Sequence, residues 1–203
     1  MEPKDKILAG AEELFFKYGI KNITMDEVAR HLGMSKKTLY QYFKDKDELI
    51  HQLMMQKIDH EKCLFKDTCE QAENVVAEMF AIMKNMREML TKMNPVIFYE
   101  LYKYYPASWK LFDTFKHSFI QEQLERSLKK GQDDGLVRKD INLKILCRMR
   151  LENIDMGFFG KVFPSDKYDL VDVQLTMTEH FLYGICTLKG YKLINKYKNI
   201  TEE

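Results

Sequence analysis

The side chains best suited to chemistry lie in and around one short segment, residues 36–42, which reads KKTLYQY. Lysine ammonium groups pair with phosphates or donate to guanine, and a glutamine amide can pair with adenine in a major groove. Threonine and tyrosine hydroxyl groups add hydrogen bonds to phosphate oxygens. These residue types therefore predict contact with nucleic acid. The expected contact residues are Thr24, Ser35, Lys36, Lys37, Thr38, Tyr40, Gln41, Tyr42 and Lys46.

Two short helices separated by a tight turn are predicted to hold these side chains. Thr24 followed by Glu27 is typical of a capping box that begins the first helix. Gly33 ends that helix, because glycine tolerates the left-handed turn, and Ser35 can cap the second helix. This is the pattern of a helix-turn-helix, whose second helix enters the major groove of duplex DNA. Residues expected to pack inward are Met25, Val28, Ala29, Leu32, Leu39 and Phe43.

Local charge supports this interpretation although the whole chain has a net charge of only +1. Residues 30–46 contain five cations and one acid, and an excess of this kind on one surface is enough to attract phosphates. Thr24 and Lys46 lie at the starts of predicted helices, where free backbone N–H groups also favour phosphate. The alternative is a solvated charged face, and Tyr40 fits either the edge of the core or a phosphate contact equally well.

The whole chain is predicted to be helical, with four prolines and no long segment that alternates at the period of a strand. A first helix carries the apolar stripe from Ile7 to Tyr18, and a connector helix runs from Asp45 to about Phe65. Thr68 with Gln71 is typical of the start of a further helix. Later helices are expected over about 106–130, 143–159 and 170–195. The expected fold is all-α, with a DNA-binding domain at 1–45 and a larger helical domain at 46–203.

In these residues the chain resembles the tetracycline-repressor (TetR) family of bacterial transcriptional regulators. The resemblance covers about residues 7–49 and includes, in order, FFKYG, ITMDEVA, GMSKKTLYQYF and KDKDEL. Lys37 departs from the pattern, because that position is often small in the family. The resemblance implies a DNA-binding homodimer whose helical body binds a small-molecule effector, and the phosphate contacts of Tyr40 and Tyr42 are also implied by it. The effector-binding residues of the family diverge and are not carried over.

Aromatic and methionine side chains of the larger domain are candidates for an effector pocket. They concentrate between residues 98 and 119, with methionines contributed by other helices. Aromatic and flexible methionine side chains line adaptable apolar cavities, which predicts an apolar or aromatic ligand. The alternative is that they form ordinary core. The candidate residues are Met83, Phe98, Tyr102, Tyr105, Trp109, Phe112, Met149, Asn153 and Met156, with Asn153 as a hydrogen-bonding group.

The last two long helices carry apolar residues at intervals of three and four. Paired with the same helices of a second chain they would form a four-helix bundle, the usual dimer interface of the family, and Gly184 would allow close approach. The alternative is that they cover the core of their own domain. The candidate interface residues are Leu146, Ile154, Phe158, Met177, Phe181, Gly184 and Leu188.

The sequence also argues against several other classes of protein. We find no nucleophile–base pair, paired carboxylates, phosphate loop or HExxH motif, so an enzyme is not expected. The four cysteines lack CxxC pairing, and His117 and His180 are expected to be structural, so no metal or cofactor is predicted. No signal peptide or membrane span is apparent, which predicts a cytoplasmic protein. A second hypothesis keeps the DNA-binding domain but makes the larger domain a protein-interaction module.

Overall fold

The computed structural model describes residues 2–200, so the outermost ends of the two expected domain ranges lie outside the described residues. The prediction of an all-α fold is confirmed: within 2–200 the extended pairing is confined to an isolated bridge between Val137 and Cys186. A π-helical turn, Lys116–Ile120, joins α7 to α8. The helices are α1 (Pro3–Tyr18), α2 (Met25–His31), α3 (Lys36–Tyr42), α4 (Lys46–Gln71), α5 (Val75–Thr91), α6 (Val96–Tyr104), α7 (Pro106–Phe115), α8 (Gln121–Asp133), α9 (Leu143–Phe158), α10 (Leu170–Ile185) and α11 (Leu188–Tyr197).

Two compact units divide the chain, and the first comprises Met1–Glu61 with Leu90–Phe115. Its core contains the inward-facing residues of α1, α2 and α3, including Phe15, Leu39 and Phe43. Gly10 of α1 is buried against Leu32, and an added Cβ would lie 2.5 Å from a methyl carbon of that leucine. The predicted inward faces of the first three helices are therefore confirmed, except that Tyr18 is exposed.

The second unit comprises Lys62–Met89 with Lys116–Glu203. Within it α8 packs on α9 and α9 packs on α10. Its apolar core draws on α5, α8, α9, α10 and α11 and on the short segment after α8, and burial of this much apolar surface is what stabilises a helical unit of this size. The most deeply buried members include Val76, Leu128, Val137, Cys147, Leu182 and Ile194.

The predicted boundary between the fourth and fifth helices is wrong. α4 continues to Gln71, beyond the expected end near Phe65. Thr68 does not cap a new helix, because its hydroxyl group donates to the carbonyl of Leu64 one turn earlier. The cap is supplied by Asn74, whose side-chain oxygen accepts from the backbone N–H groups of Val76 and Ala77 at 3.0 Å.

The expected long helix over 170–195 is interrupted at Cys186, which adopts an extended backbone. The backbone of residues 136–138 pairs there, since Arg138 N–H donates to Ile185 and Thr187 N–H donates to Leu136, each at 2.9 Å. Thr187 then caps α11 through its hydroxyl group. Close approach requires glycine at position 190, where a Cβ would lie 2.5 Å from the carbonyl oxygen of Leu136.

Candidate nucleic-acid interface

Thr24 and Glu27 form the predicted capping box at the start of α2. The Thr24 hydroxyl accepts from Glu27 N–H at 3.2 Å, and the Glu27 carboxylate accepts from Thr24 N–H at 2.6 Å. The bond from the Thr24 backbone is the main cause that lowers the pKa of Glu27. The side chain of Thr24 is exposed beside this box, with its hydroxyl donating to the same carboxylate at 2.8 Å.

The turn between α2 and α3 has the geometry expected of a helix-turn-helix. Gly33 has a φ of +63°, and apart from Gly33 itself and its two chain neighbours no described residue lies within 4 Å of the position that a Cβ would take. Gly33 N–H donates to Arg30, and Met34 N–H donates to Ala29 at 3.0 Å, which closes α2. Ser35 then caps α3, because its side-chain oxygen accepts from Thr38 N–H at 3.0 Å.

α3 is divided into a buried side and an exposed side. Leu39 and Phe43 are 0% and 1% exposed, so the hydrophobic side is fixed in the core of the first unit. The other side is open to solvent, and Tyr40 and Tyr42 are 48% and 38% exposed. Tyr40 is therefore not a core residue within the described protomer. The exposed predicted contact residues of this segment are Ser35, Lys36, Lys37, Tyr40, Gln41 and Tyr42, with Thr38 half-buried.

Lys36 is held by a neighbouring helix. Its ammonium group forms an ion pair with the carboxylate of Asp26 on α2, and both side chains remain substantially exposed. An ion pair of this kind contributes little to stability but restrains the direction of the lysine. Contact with DNA would exchange this carboxylate for phosphate or a base edge. Asp26 was not identified from the sequence, because its spacing from Lys36 offers no periodic signal.

Lys46 differs from the other predicted contact residues, because it is half-buried. Its Nζ atom donates to the carbonyl of Ile20 at 2.6 Å and lies 5.9 Å from the ring centres of Phe15 and Tyr105. Burial lowers the pKa of Lys46, and the charge of Glu100 partly offsets this. The direct phosphate contact predicted for Lys46 stays a prediction, and its ammonium group has a structural partner that the sequence did not indicate.

Glu100 of α6 is a second residue that sequence reasoning missed. Its carboxylate, only 5% exposed, accepts from the backbone N–H groups of Ile20 at 2.6 Å and Lys21 at 3.0 Å. A buried carboxylate with two backbone donors is a strong and specific contact. Glu100 and Lys46 thus hold the turn between α1 and α2 from both sides of Ile20, and we call these two residues and the turn the Glu100 clamp. The sequence signal that could have indicated this contact was the presence of a glutamate within an aromatic segment.

The candidate pocket residues fall in both units. In the first unit four aromatic rings contact one another: Phe98 with Phe112 at 5.6 Å, Trp109 with Phe112 at 5.2 Å, and Tyr102 with Trp109 at 5.7 Å between ring centres. Tyr105 contacts the clamp through Lys46. In the second unit Met83 and Asn153 are half-buried, whereas Met149 and Met156 are exposed. Their combination into one pocket stays a prediction.

The candidate dimer residues all lie in the second unit and differ in exposure. Phe181 is 4% exposed and belongs to the core of its own unit. Leu188 is 83% exposed, at the first position of α11. Gly184 is exposed, and no described atom lies within 4 Å of an added Cβ. Leu146, Ile154, Phe158 and Met177 are half-buried. The interface itself stays a prediction.

Among residues 2–200 we find no group of three or more histidine, cysteine, aspartate or glutamate side chains that could hold a metal ion. Within the same residues no helix has the length and apolar character needed to cross a bilayer.

Comparison with known proteins supports the interpretation of this surface. Residues 7–53 match the family model described as bacterial regulatory proteins, tetR family. YvaF of Bacillus subtilis (strain 168), an uncharacterized HTH-type transcriptional regulator, is 31% identical over 111 residues, which are 54% of this chain and 58% of that protein. The chain thus matches little more than half the length of this curated relative.

The fold as a whole is similar to solved structures of regulators. The fatty acid degradation regulator FadR from Bacillus halodurans has a TM-score of 0.70 at 19% identity, covering 91% of this chain and 97% of that one. FadR from Bacillus subtilis, solved in complex with stearoyl-CoA, has a TM-score of 0.68 at 18% identity, covering 89% and 98%.

Proposed function

We propose that this chain, whose residues 7–53 match the model of the tetR family of bacterial regulatory proteins, is a repressor that binds a pseudo-palindromic operator as a homodimer and is released by a small-molecule effector. This proposal is supported by the match of residues 7–53 to a family of regulatory proteins and by the likeness to YvaF, which is named as an HTH-type transcriptional regulator. The observation that carries the proposal is the two-sided α3, buried through Leu39 and Phe43 and exposing lysine, glutamine and tyrosine.

In the proposed complex α3 lies in the major groove. Lys36 and Lys37 at its start donate to guanine acceptors or phosphates, and Gln41 one turn later pairs with adenine. Tyr40, Tyr42, Ser35 and Thr38 bond the phosphate backbone and so set the register of the helix. Thr24 and Lys46 contact phosphates at the edges of this surface. We place the protein in the bacterial cytoplasm because its DNA partner is there.

A two-fold dimer supplies a second copy of α3. Two α3 helices about 34–36 Å apart would enter successive major grooves on one side of the duplex, which requires an operator with two related half-sites. The proposed dimer interface uses α9 and α10 with the start of α11, where Leu188 and Gly184 leave an exposed surface.

Release requires an effector with different affinities for the DNA-binding and released states. We propose an apolar or aromatic effector, because aromatic rings and methionines dominate the candidate pocket. The stearoyl-CoA bound by FadR of Bacillus subtilis is a precedent for a ligand with a long apolar acyl chain on this fold. α4 is one continuous helix from Lys46 to Gln71, so a shift of this helix would change the spacing of the two reading helices.

The test is selection of bound duplexes from a random pool by the full-length protein. We expect enrichment of a motif with two related halves, and loss of that enrichment in a Lys36→Ala, Gln41→Ala double variant. A compound screen with the enriched duplex then measures release. Equal binding to all duplexes would contradict operator recognition, and an operator that no compound releases would favour the protein-interaction hypothesis.

A further inference from the structure

The second unit contains a buried cation without a carboxylate partner. Arg150 of α9 is 6% exposed, and its one hydrogen bond to the described chain runs from Nη2 to the Thr178 hydroxyl at 2.5 Å. Its Nη1 atom is buried and has no acceptor among residues 2–200. Burial alone lowers the pKa of Arg150 to about 10, with no contribution from a neighbouring carboxylate. The guanidinium is therefore protonated at neutral pH.

The surroundings of Arg150 do not neutralise this charge. Thr178 accepts from Arg150 and donates to the carbonyl of Gln174 at 2.6 Å, so its single O–H donor is used and its neutral hydroxyl brings no opposite charge. Gln174 is completely buried; its amide nitrogen donates to Ile154 at 2.7 Å and its Oε1 atom has no partner among the described residues. Gly157 makes room for this amide, since a Cβ there would lie 2.3 Å from its nitrogen.

A buried guanidinium of this kind is costly, because desolvation of a charge is compensated only by an opposite charge with good geometry. The other buried cation among the described residues of the unit follows that rule: Lys116, 0% exposed, pairs with Asp155 at 2.5 Å. Arg150 departs from it. The two free N–H groups of Nη1 match an oxyanion, the ligand for which arginine is best suited.

We propose that Arg150 is the anchor for an oxyanion, a carboxylate or phosphate group, on the effector of this regulator. This inference rests on the proposed function, in which a small molecule controls DNA binding. Thr178 holds Nη2, which leaves Nη1 as the guanidinium nitrogen whose N–H groups have no acceptor among the described residues. Because Arg150 is buried, a ligand that reaches it must replace side-chain contacts between α9 and α10 with contacts to itself. Binding is thereby linked to the conformation of the helices proposed to form the dimer.

The burial of Arg150 also argues against a role for its guanidinium in a dimer contact. A carboxylate on the surface of a second copy would not reach a guanidinium that is enclosed within its own protomer. In a purely structural role the alkyl part of Arg150 would fill space and its charge would be incidental, and a substitution distinguishes that role from the proposal. Substitution by methionine keeps much of that apolar volume and removes the charge.

The experiment uses the full-length protein with octanoate, decanoate, dodecanoate and hexadecanoate, the matching alkyl phosphates, and the primary amide of each acid. Thermal unfolding and direct titration are measured for wild type, Arg150→Met, Arg150→Lys and Arg148→Met. Arg148 is the matched control: it lies on the same helix, is exposed, and pairs with Glu152 at 2.9 Å.

We expect at least one acid or alkyl phosphate to bind wild type and Arg148→Met more tightly than its amide. In Arg150→Met the affinity for that oxyanion falls about tenfold or more, whereas Arg150→Lys retains part of it. Without ligand, Arg150→Met unfolds at the same or a higher temperature, because an uncompensated buried charge is removed. The stronger of the acid and phosphate arms identifies the oxyanion.

Three results would overturn the proposal. The first is a panel in which no oxyanion is preferred over its amide by wild type. The second is equal loss of affinity in Arg148→Met and Arg150→Met. The third is a ligand-free Arg150→Met protein that is markedly less stable, with unchanged oxyanion binding. If a neutral effector released the operator equally well from wild type and from Arg150→Met, this inference would be refuted and the proposed function would stand. If the protein bound no operator, the proposed function alone would be refuted.

Discussion

At the scale of single residues, the exposed side of α3 carries residues proposed to contact bases and others proposed to contact phosphates. Lys36 is restrained by Asp26 on the neighbouring helix, so its ammonium group has a defined direction before DNA is bound. A side chain that is held in advance loses less conformational entropy on binding. For this reason Lys36, rather than the less restrained Lys37, is the stronger candidate for a base contact.

Lys36→Ala is expected to relax preference at one base pair and to cost about 1–3 kcal/mol for the preferred operator. The measurement is competition between the preferred duplex and duplexes substituted at single positions. Lys110→Ala, an exposed lysine of α7, is the control and should leave every ratio unchanged. A uniform loss over all duplexes would reassign Lys36 to a phosphate.

Lys46→Ala is expected to have two separable effects. Loss of a predicted phosphate contact should reduce the slope of log affinity against log salt concentration by about one. Loss of the bond to the Ile20 carbonyl should lower the free energy of unfolding by about 1 kcal/mol. Salt titration of operator binding and denaturant unfolding measure them independently. If the salt slope of Lys46→Ala equalled that of wild type while its stability was reduced, Lys46 would be excluded from the DNA contacts and its role in the Glu100 clamp would stand.

At the scale of elements, the Glu100 clamp fixes the turn that precedes α2. Glu100 belongs to α6, yet it accepts from Ile20 and Lys21, which lie just before the capping box of Thr24. Apolar packing alone would leave these two backbone N–H groups unpaired, at a cost comparable to a lost hydrogen bond for each. The clamp therefore joins α6 to the DNA-binding helices within the first unit.

Glu100→Gln is expected to lower the free energy of unfolding by about 1–3 kcal/mol, because a neutral amide is a weaker acceptor and brings an unmatched donor into a buried site. Operator affinity should fall with it, since the α1–α2 turn is less well fixed. Denaturant unfolding and operator titration measure the two effects. Glu13→Gln, on the exposed side of α1, serves as the control. Unchanged stability in Glu100→Gln would show that the clamp is unimportant.

Element boundaries show where local sequence signals fail. The capping box at Thr24 and the N-cap at Ser35 were predicted and are confirmed, because each involves residues three positions apart that interact whatever the rest of the chain does. Thr68 and Gln71 have the same spacing but lie inside α4. A cap signal competes with continuation of a helix already begun: the Thr68 hydroxyl donates to the carbonyl of Leu64 and accepts from the Asn85 amide of α5 instead of capping a new helix.

At the scale of the whole molecule, the proposed function requires a dimer. Leu188 is 83% exposed, an unusual environment for a leucine, and it follows directly after the backbone pairing at Cys186. An apolar residue at this position is consistent with coverage by a second chain.

Leu188→Glu is expected to shift the protein from dimer to monomer and to weaken operator binding. The helix itself should be preserved, because an acidic residue suits the first turn of α11. Sedimentation velocity measures association, and circular dichroism verifies the helix content. Val162→Glu alters another exposed apolar side chain, outside the predicted interface, and should remain dimeric. A dimeric Leu188→Glu protein would exclude Leu188 from the interface.

The sequence by itself determined the features that depend on near neighbours along the chain: the helical class, the capped helix-turn-helix of residues 24–43, and the division of α3 into inward and outward sides. Only the tertiary structure decided the contacts between distant residues. The Glu100 clamp joins positions about 80 apart, and the break at Cys186 depends on a backbone segment about 50 residues earlier. Arg150 is buried beside Thr178 without a carboxylate partner among the described residues, which only the packing of α9 and α10 shows. Periodicity reports which side of a helix is apolar, but not which distant polar group will meet it, because that depends on packing.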